Sequence, residues 1–155
     1  MRFILVDELI SLVPGAHVHG VKTLDASEEL FRDHFPGFPV VPGVILTEMM
    51  AQTAGKCLDA EDGNRGKAML VRIQKASFRR WVRPGERAEI HAEIEASTAE
   101  YATAQCRIDV AGEEAARAEL MFSFVPRAAF SPEYRDEVLE RFQRRVDPGT
   151  EDPST

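Results

Sequence analysis

The stretch that most constrains this chain runs from Asp33 to Gly55, DHFPGFPVVPGVILTEMMAQTAG. Prolines at 36, 39 and 42 recur at the step of a polyproline II ribbon, about three residues per turn. Each locks its own φ and biases the preceding residue toward extended backbone, so a stiff ribbon is expected between His34 and Pro42. Gly37 and Gly43 are the points where backbone can turn sharply or approach another group closely. A helix is expected to open at Pro42 or Gly43, because a proline in the first turn gives up no needed hydrogen bond. From Val44 to Leu58 apolar residues fall on nearly every side, the pattern of a helix buried in a core. Positions 44, 48, 51, 52 and 55 share one face, with Glu48 and Gln52 a turn apart beside Ala51 and Gly55. A buried carboxylate is costly to keep charged without a partner, so Glu48 is expected to be held neutral.

Length and charge set the outer bounds. The 155 residues suffice for one domain with its own core, and 44% hydrophobic with 29% charged residues describes a folded chain. No apolar run approaches the ~20 residues needed to cross a bilayer, so no membrane partner is expected. The start, MRFILVDE, has no small-residue cleavage site and does not read as a signal peptide. Cys57 and Cys106 read as buried thiols, which fits a reducing cytoplasm. A net charge of −7 argues against general nucleic-acid binding, which draws on a basic footprint. The charge is uneven, however. Between Arg65 and Arg87 lie Lys67, Arg72, Lys75, Arg79, Arg80 and Arg83, with Glu86 the one acid. Such a strip suits docking of an acidic partner, or a sheet edge guarded by cations.

Around the central helix the chain alternates. Residues 2 to 12 are expected as a first strand, with a turn at Val13-Pro14-Gly15-Ala16 and a second strand from His17 to Leu24. His17 and His19 share a strand face, but no third ligand lies near them in sequence, so no metal site is expected. Ser27-Glu28-Glu29 reads as an N-cap with acids in the first turn of a short helix. Extended segments follow at 67–82, 87–98, 100–110 and 115–125, which gives an α+β domain over residues 1–130 with an antiparallel sheet. Ser131-Pro132-Glu133 predicts an appended helix over 131–146, and a disordered tail follows over 147–155.

The run His34-Phe35-Pro36-Gly37, then Pro39, Pro42-Gly43-Val44, Glu48, Ala51 and Gln52, resembles the β-hydroxyacyl-(acyl carrier protein) dehydratases of fatty-acid synthesis. The likeness extends to Phe3–Asp7, similar to the family's first strand, and to Phe78–Glu86, similar to a strand–turn segment. It implies a hotdog fold, a long central helix wrapped by an antiparallel sheet, and a site at a dimer interface. The histidine and the acid would come from different subunits, in a homodimer or a trimer of dimers. By motif position His34 is the catalytic histidine and Glu48 the catalytic acid. Gly43 would offer a backbone N–H to the thioester carbonyl, and Gln52 would position Glu48. Val44 and Phe35 would complete the substrate site, and Arg79, Arg80 and Arg83 would dock the carrier protein. Family members carry a further segment before the first strand, with a Pro-His-Arg-Tyr-Pro-like motif, that this sequence does not contain.

Dehydration needs a base for the proton beside the carbonyl, a stabiliser for the enolate oxygen and an acid for the departing hydroxyl. An imidazole, helix N-terminal N–H groups and a protonated carboxyl supply these three, and no cofactor is required. Two rivals use the same fold: a thioesterase, which generally lacks the His-Phe-Pro-Gly loop, and a non-catalytic carrier-binding subunit.

Overall fold

Six strands form one antiparallel sheet, and a 17-residue helix lies across one face of it. The structure, a computed structural model, describes residues 2–61, 63 and 65–147. In chain order the elements are β1 (Glu8–Val13), β2 (His17–Thr23), α1 (Leu30–Asp33), α2 (Gly43–Asp59), β3 (Lys67–Phe78), β4 (Arg87–Ser97), β5 (Tyr101–Val110), β6 (Glu113–Val125) and α3 (Glu137–Val146). The spatial order is β1-β2-β4-β5-β6-β3, so β1 and β3 are the edges.

Alternation in β4, β5 and β6 sends every second residue beneath α2. Ile90, Ile108 and Ala116 pair across the three strands, as do Ala92, Cys106 and Ala118. All six are buried. Alanine dominates this surface (Ala88, Ala92, Ala102, Ala104, Ala116, Ala118), and its small side chains let the helix sit close. On the helix, Met50, Ala54 and Cys57 are fully enclosed. The buried hydroxyls of Thr47 and Thr53 donate to the carbonyls of Gly43 and Met49, so neither is stranded in the packing.

Four expectations are corrected. The first strand begins at Glu8, not residue 2. Leu5 and Val6 are nonetheless fully buried: the Leu5 N–H donates to Gln52 Oε1 on α2, and the Asp7 N–H donates to the Val21 carbonyl of β2. Ser27 does not cap α1: its N–H donates to Asp25 Oδ1 at 2.8 Å, closing a turn, and the helix starts only at Leu30. Nor does Ser131 open the last helix. It accepts from the Glu133 N–H in an isolated turn, and α3 starts at Glu137, with Asp136 accepting from the Leu139 N–H at 3.0 Å. The ribbon is not continuous either. Phe35 and Gly37 have φ of 58° and 82°, and the Phe38 N–H donates to the Phe35 carbonyl at 2.8 Å. Phe35 precedes Pro36, so its left-handed φ runs against the extended bias that proline places on the residue before it, and the hydrogen-bonded turn holds it there. The expected tail from residue 148 onward lies outside the described residues.

Candidate active site

His34 ends α1 and begins the proline-rich loop. Its Nδ1 lies 3.0 Å from the Val40 carbonyl oxygen. A carbonyl can only accept, so Nδ1 carries the proton and Nε2 of the neutral ring keeps a free lone pair. The Phe35 ring, exposed and tilted against the imidazole at 4.4 Å, flanks it. The loop is tied down on its far side: the Val41 N–H donates to the Val82 carbonyl at 2.7 Å, and the Phe38 ring meets Trp81 edge-on at 5.1 Å. Buried Val40 and Val41 anchor it to the core. The outcome is an imidazole held by backbone, with its basic nitrogen turned away from its own support.

Helix α2 opens directly after this loop, with Pro42 as an N-cap that offers no side-chain hydrogen bond. Its first-turn N–H groups at Gly43 and Val44 therefore face outward at the positive end of the helix dipole. Gly43 has a packing reason too, since a Cβ there would lie 3.0 Å from the Phe78 ring. Val44 is 76% exposed.

Glu48 is half-buried, not enclosed as the sequence led us to expect, because its face of α2 opens onto a cavity of about 560 Å³. Ala51, Gln52 and Gly55 continue that face into the cavity, and Met69, Leu70 and Phe122 form an apolar wall. Gln52 donates to Glu48 Oε1 and to the Phe3 carbonyl, both at 3.2 Å, while its own oxygen accepts from the Leu5 N–H at 2.8 Å. The amide is thus fixed in orientation and presents its N–H to the carboxyl group. His34 is not among the residues that line this cavity.

Of the basic strip, Arg80 is a structural hub: it pairs with Glu86 at 2.8 Å and with Glu113 at 3.1 Å. The Arg80 bond, outweighing the cost of burial and helped by the Arg83 N–H, holds Glu86 below the ordinary carboxylate range. Arg79 pairs with Glu114 but is mostly exposed, and the Arg83 guanidinium lies 5.3 Å from the centre of the Phe38 ring. Among the described residues, His19 bonds Glu89 and stacks on His91, and no three metal-ligating side chains come together. The sequence reading missed Lys56, buried on α2 against Asp136. A lone cation in an otherwise apolar helix was the available signal.

Comparison with known proteins places the chain in a family. The family model described as ApeI-like, ApeI dehydratase, matches residues 13–117. The 3-hydroxyacyl-[acyl-carrier-protein] dehydratase FabZ of Listeria welshimeri is 38% identical over 122 residues, 78% of this chain and 85% of the relative. FabZ of Bacillus pumilus is 34% identical over 128 residues, covering 82% and 89%. Among solved structures, the dehydratase heterocomplex ApeI:P from Xenorhabdus doucetiae superposes with a TM-score of 0.66 at 16% identity, over 81% of this chain and 86% of that one, a likeness of fold. With the helix-on-sheet architecture and the His34 and Glu48 motif positions, these matches show that the chain belongs to the hotdog dehydratase family of ApeI and FabZ.

Proposed function

We propose that this chain converts a 3-hydroxyacyl thioester on acyl carrier protein into the trans-2-enoyl thioester and water, with His34 of one subunit and Glu48 of its partner at one site. The observation that carries the reading is the bond from His34 Nδ1 to the Val40 carbonyl, which leaves Nε2 as a positioned base. Nε2 takes the proton from the carbon beside the thioester carbonyl. The enolate oxygen is met by the N–H groups of Gly43 and Val44, an arrangement worth about 3 kcal/mol where one such donor has been removed from other enzymes. Collapse of the enolate expels the hydroxyl, which leaves as water with the proton of the Glu48 acid form. A proton then returns from imidazolium to carboxylate, so the cycle closes without a cofactor. Gln52 orients Glu48, and Phe35 and Val44 wall the entrance.

The shared site is supported by what each subunit lacks. His34 is not among the residues lining the cavity onto which Glu48 opens. Edge strand β3 carries half-exposed Met69, Val71 and Ile73. A long apolar edge of this kind calls for cover, and pairing with a second copy gives a homodimer or, by repetition, a trimer of dimers. Arg79 and Arg83 would receive the acidic carrier protein, with Arg80 shaping that surface from beneath. The enzyme would act in the cytoplasm. The experiment is turnover of a 3-hydroxyacyl thioester by purified protein: conjugated enoyl absorbance supports dehydration, whereas free thiol would mean hydrolysis.

A further inference from the structure

The cavity that begins at Glu48 does not end on apolar side chains. Lys56 lines it two turns further along α2, about 12 Å at the helical rise. Its ammonium donates to Asp136 Oδ2 at 2.8 Å, and the two side chains are only 10% and 11% exposed. Beside this pair Lys67 and Asp59 form another at 2.8 Å, with the Lys67 ammonium over the Tyr134 ring. Nothing in the proposed reaction uses these groups. Tyr134 and Asp136 belong to the segment appended after the sheet, and Asp136 is also the cap of α3. An alkyl chain running from Glu48 past Ala51, Met69 and Leu70 meets apolar walls first and then an ion pair. A methyl end pushed further would strip water or a partner from buried charges, which is costly.

We propose that the appended segment, through Tyr134 and the Lys56–Asp136 pair, is the end wall of the acyl cavity and restricts the enzyme to short 3-hydroxyacyl chains. This rests on the dehydratase reading above. The test variant is Lys56→Met with Asp136→Asn, which removes both charges, keeps the volume and keeps an oxygen to cap α3. Hydration is measured with crotonyl, octenoyl and dodecenoyl pantetheine. The wild type should lose efficiency as the chain lengthens. The double variant should raise the dodecenoyl-to-crotonyl ratio of kcat/KM by roughly tenfold, chiefly through KM, the low end of what one methylene contributes to pocket discrimination. Tyr134→Ala, which removes the wall but leaves the pair, should move the ratio the same way. An unchanged ratio in both folded variants overturns the proposal, as does a wild type that handles dodecenoyl and crotonyl equally. If the wild type hydrates none of them, the dehydratase reading fails instead. Calorimetric binding of the matching saturated acyl-pantetheine amides then decides the wall: affinity that falls with length and is restored in the double variant supports it, and length-independent affinity overturns it.

Discussion

The two ends of α2 are built from opposite materials. Around its N-terminus the surface is apolar and open: Phe35, Val44, Phe78 and Trp81 are all about half exposed or more. The polar groups there are an imidazole and unpaired backbone N–H groups. Around its C-terminus the polar groups are side-chain charges, and they are closed against one another within the chain, Lys56 on Asp136 and Lys67 on Asp59. In the reading proposed above, one helix offers chemistry at an end that a partner completes, and seals the other end with residues of its own chain. Uncovered apolar surface marks where something must arrive; satisfied buried charge marks where nothing should.

The largest effects should come from the open end. His34→Ala removes the proposed base and should lower kcat for crotonyl-thioester hydration by about a hundredfold to ten-thousandfold, with the fold intact by circular dichroism. Glu48→Gln should cost a similar factor; near-normal turnover in either variant would dissolve the functional half of the contrast. At the sealed end, Lys56→Met alone leaves Asp136 buried without its partner, and urea unfolding should show a loss of about 3–5 kcal/mol. Gly43→Ala places a methyl group 3.0 Å from the Phe78 ring. That crowding should cost about 1 kcal/mol, because an exposed ring can swing aside, and should impair turnover more than stability. Burial, followed by the charges of Asp136 and Asp59, pushes the Tyr134 phenol up to about 12. A raised acid favours the neutral form, so its contribution to stability is intact below about pH 10, the ordinary phenol value, and fades as pH climbs toward 12. Tyrosinate absorbance should show a late transition that Tyr134→Phe removes. Smallest of all, Arg79→Glu should reduce use of carrier-protein substrates several-fold while pantetheine substrates are spared; equal losses on both would remove the docking role.

The open end was legible in sequence because its residues are rare types at fixed spacings. Prolines, a histidine and a glycine before an apolar helix leave few alternatives, and the placement of Glu48 beside Gln52 follows from helical periodicity alone. The half-exposure of Glu48 was not legible, since it depends on how far β3 and the segment before β1 stand from α2. Proline spacing suggested an extended ribbon, but Phe35 takes a positive φ against the bias of Pro36, a turn that no local rule at this position favours. The sealed end was hidden for a different reason. Lys56 and Asp136 are 80 residues apart, and the lone cation on α2 gives no local hint of its partner. Ser131-Pro132-Glu133 satisfies the local cap rules, yet it is Asp136 that caps α3 and pairs with Lys56, a tertiary gain that local rules cannot register.

The central claim is that each site takes its imidazole from one subunit and its carboxyl group from the other. Subunit exchange between two inactive proteins, the His34→Ala and Glu48→Gln variants, tests this most directly. Random pairing in a two-fold dimer leaves about a quarter of the sites with both groups intact, so hydration should recover to about a quarter of the wild-type rate. No recovery, with mixed dimers demonstrated by mass spectrometry, would contradict the account.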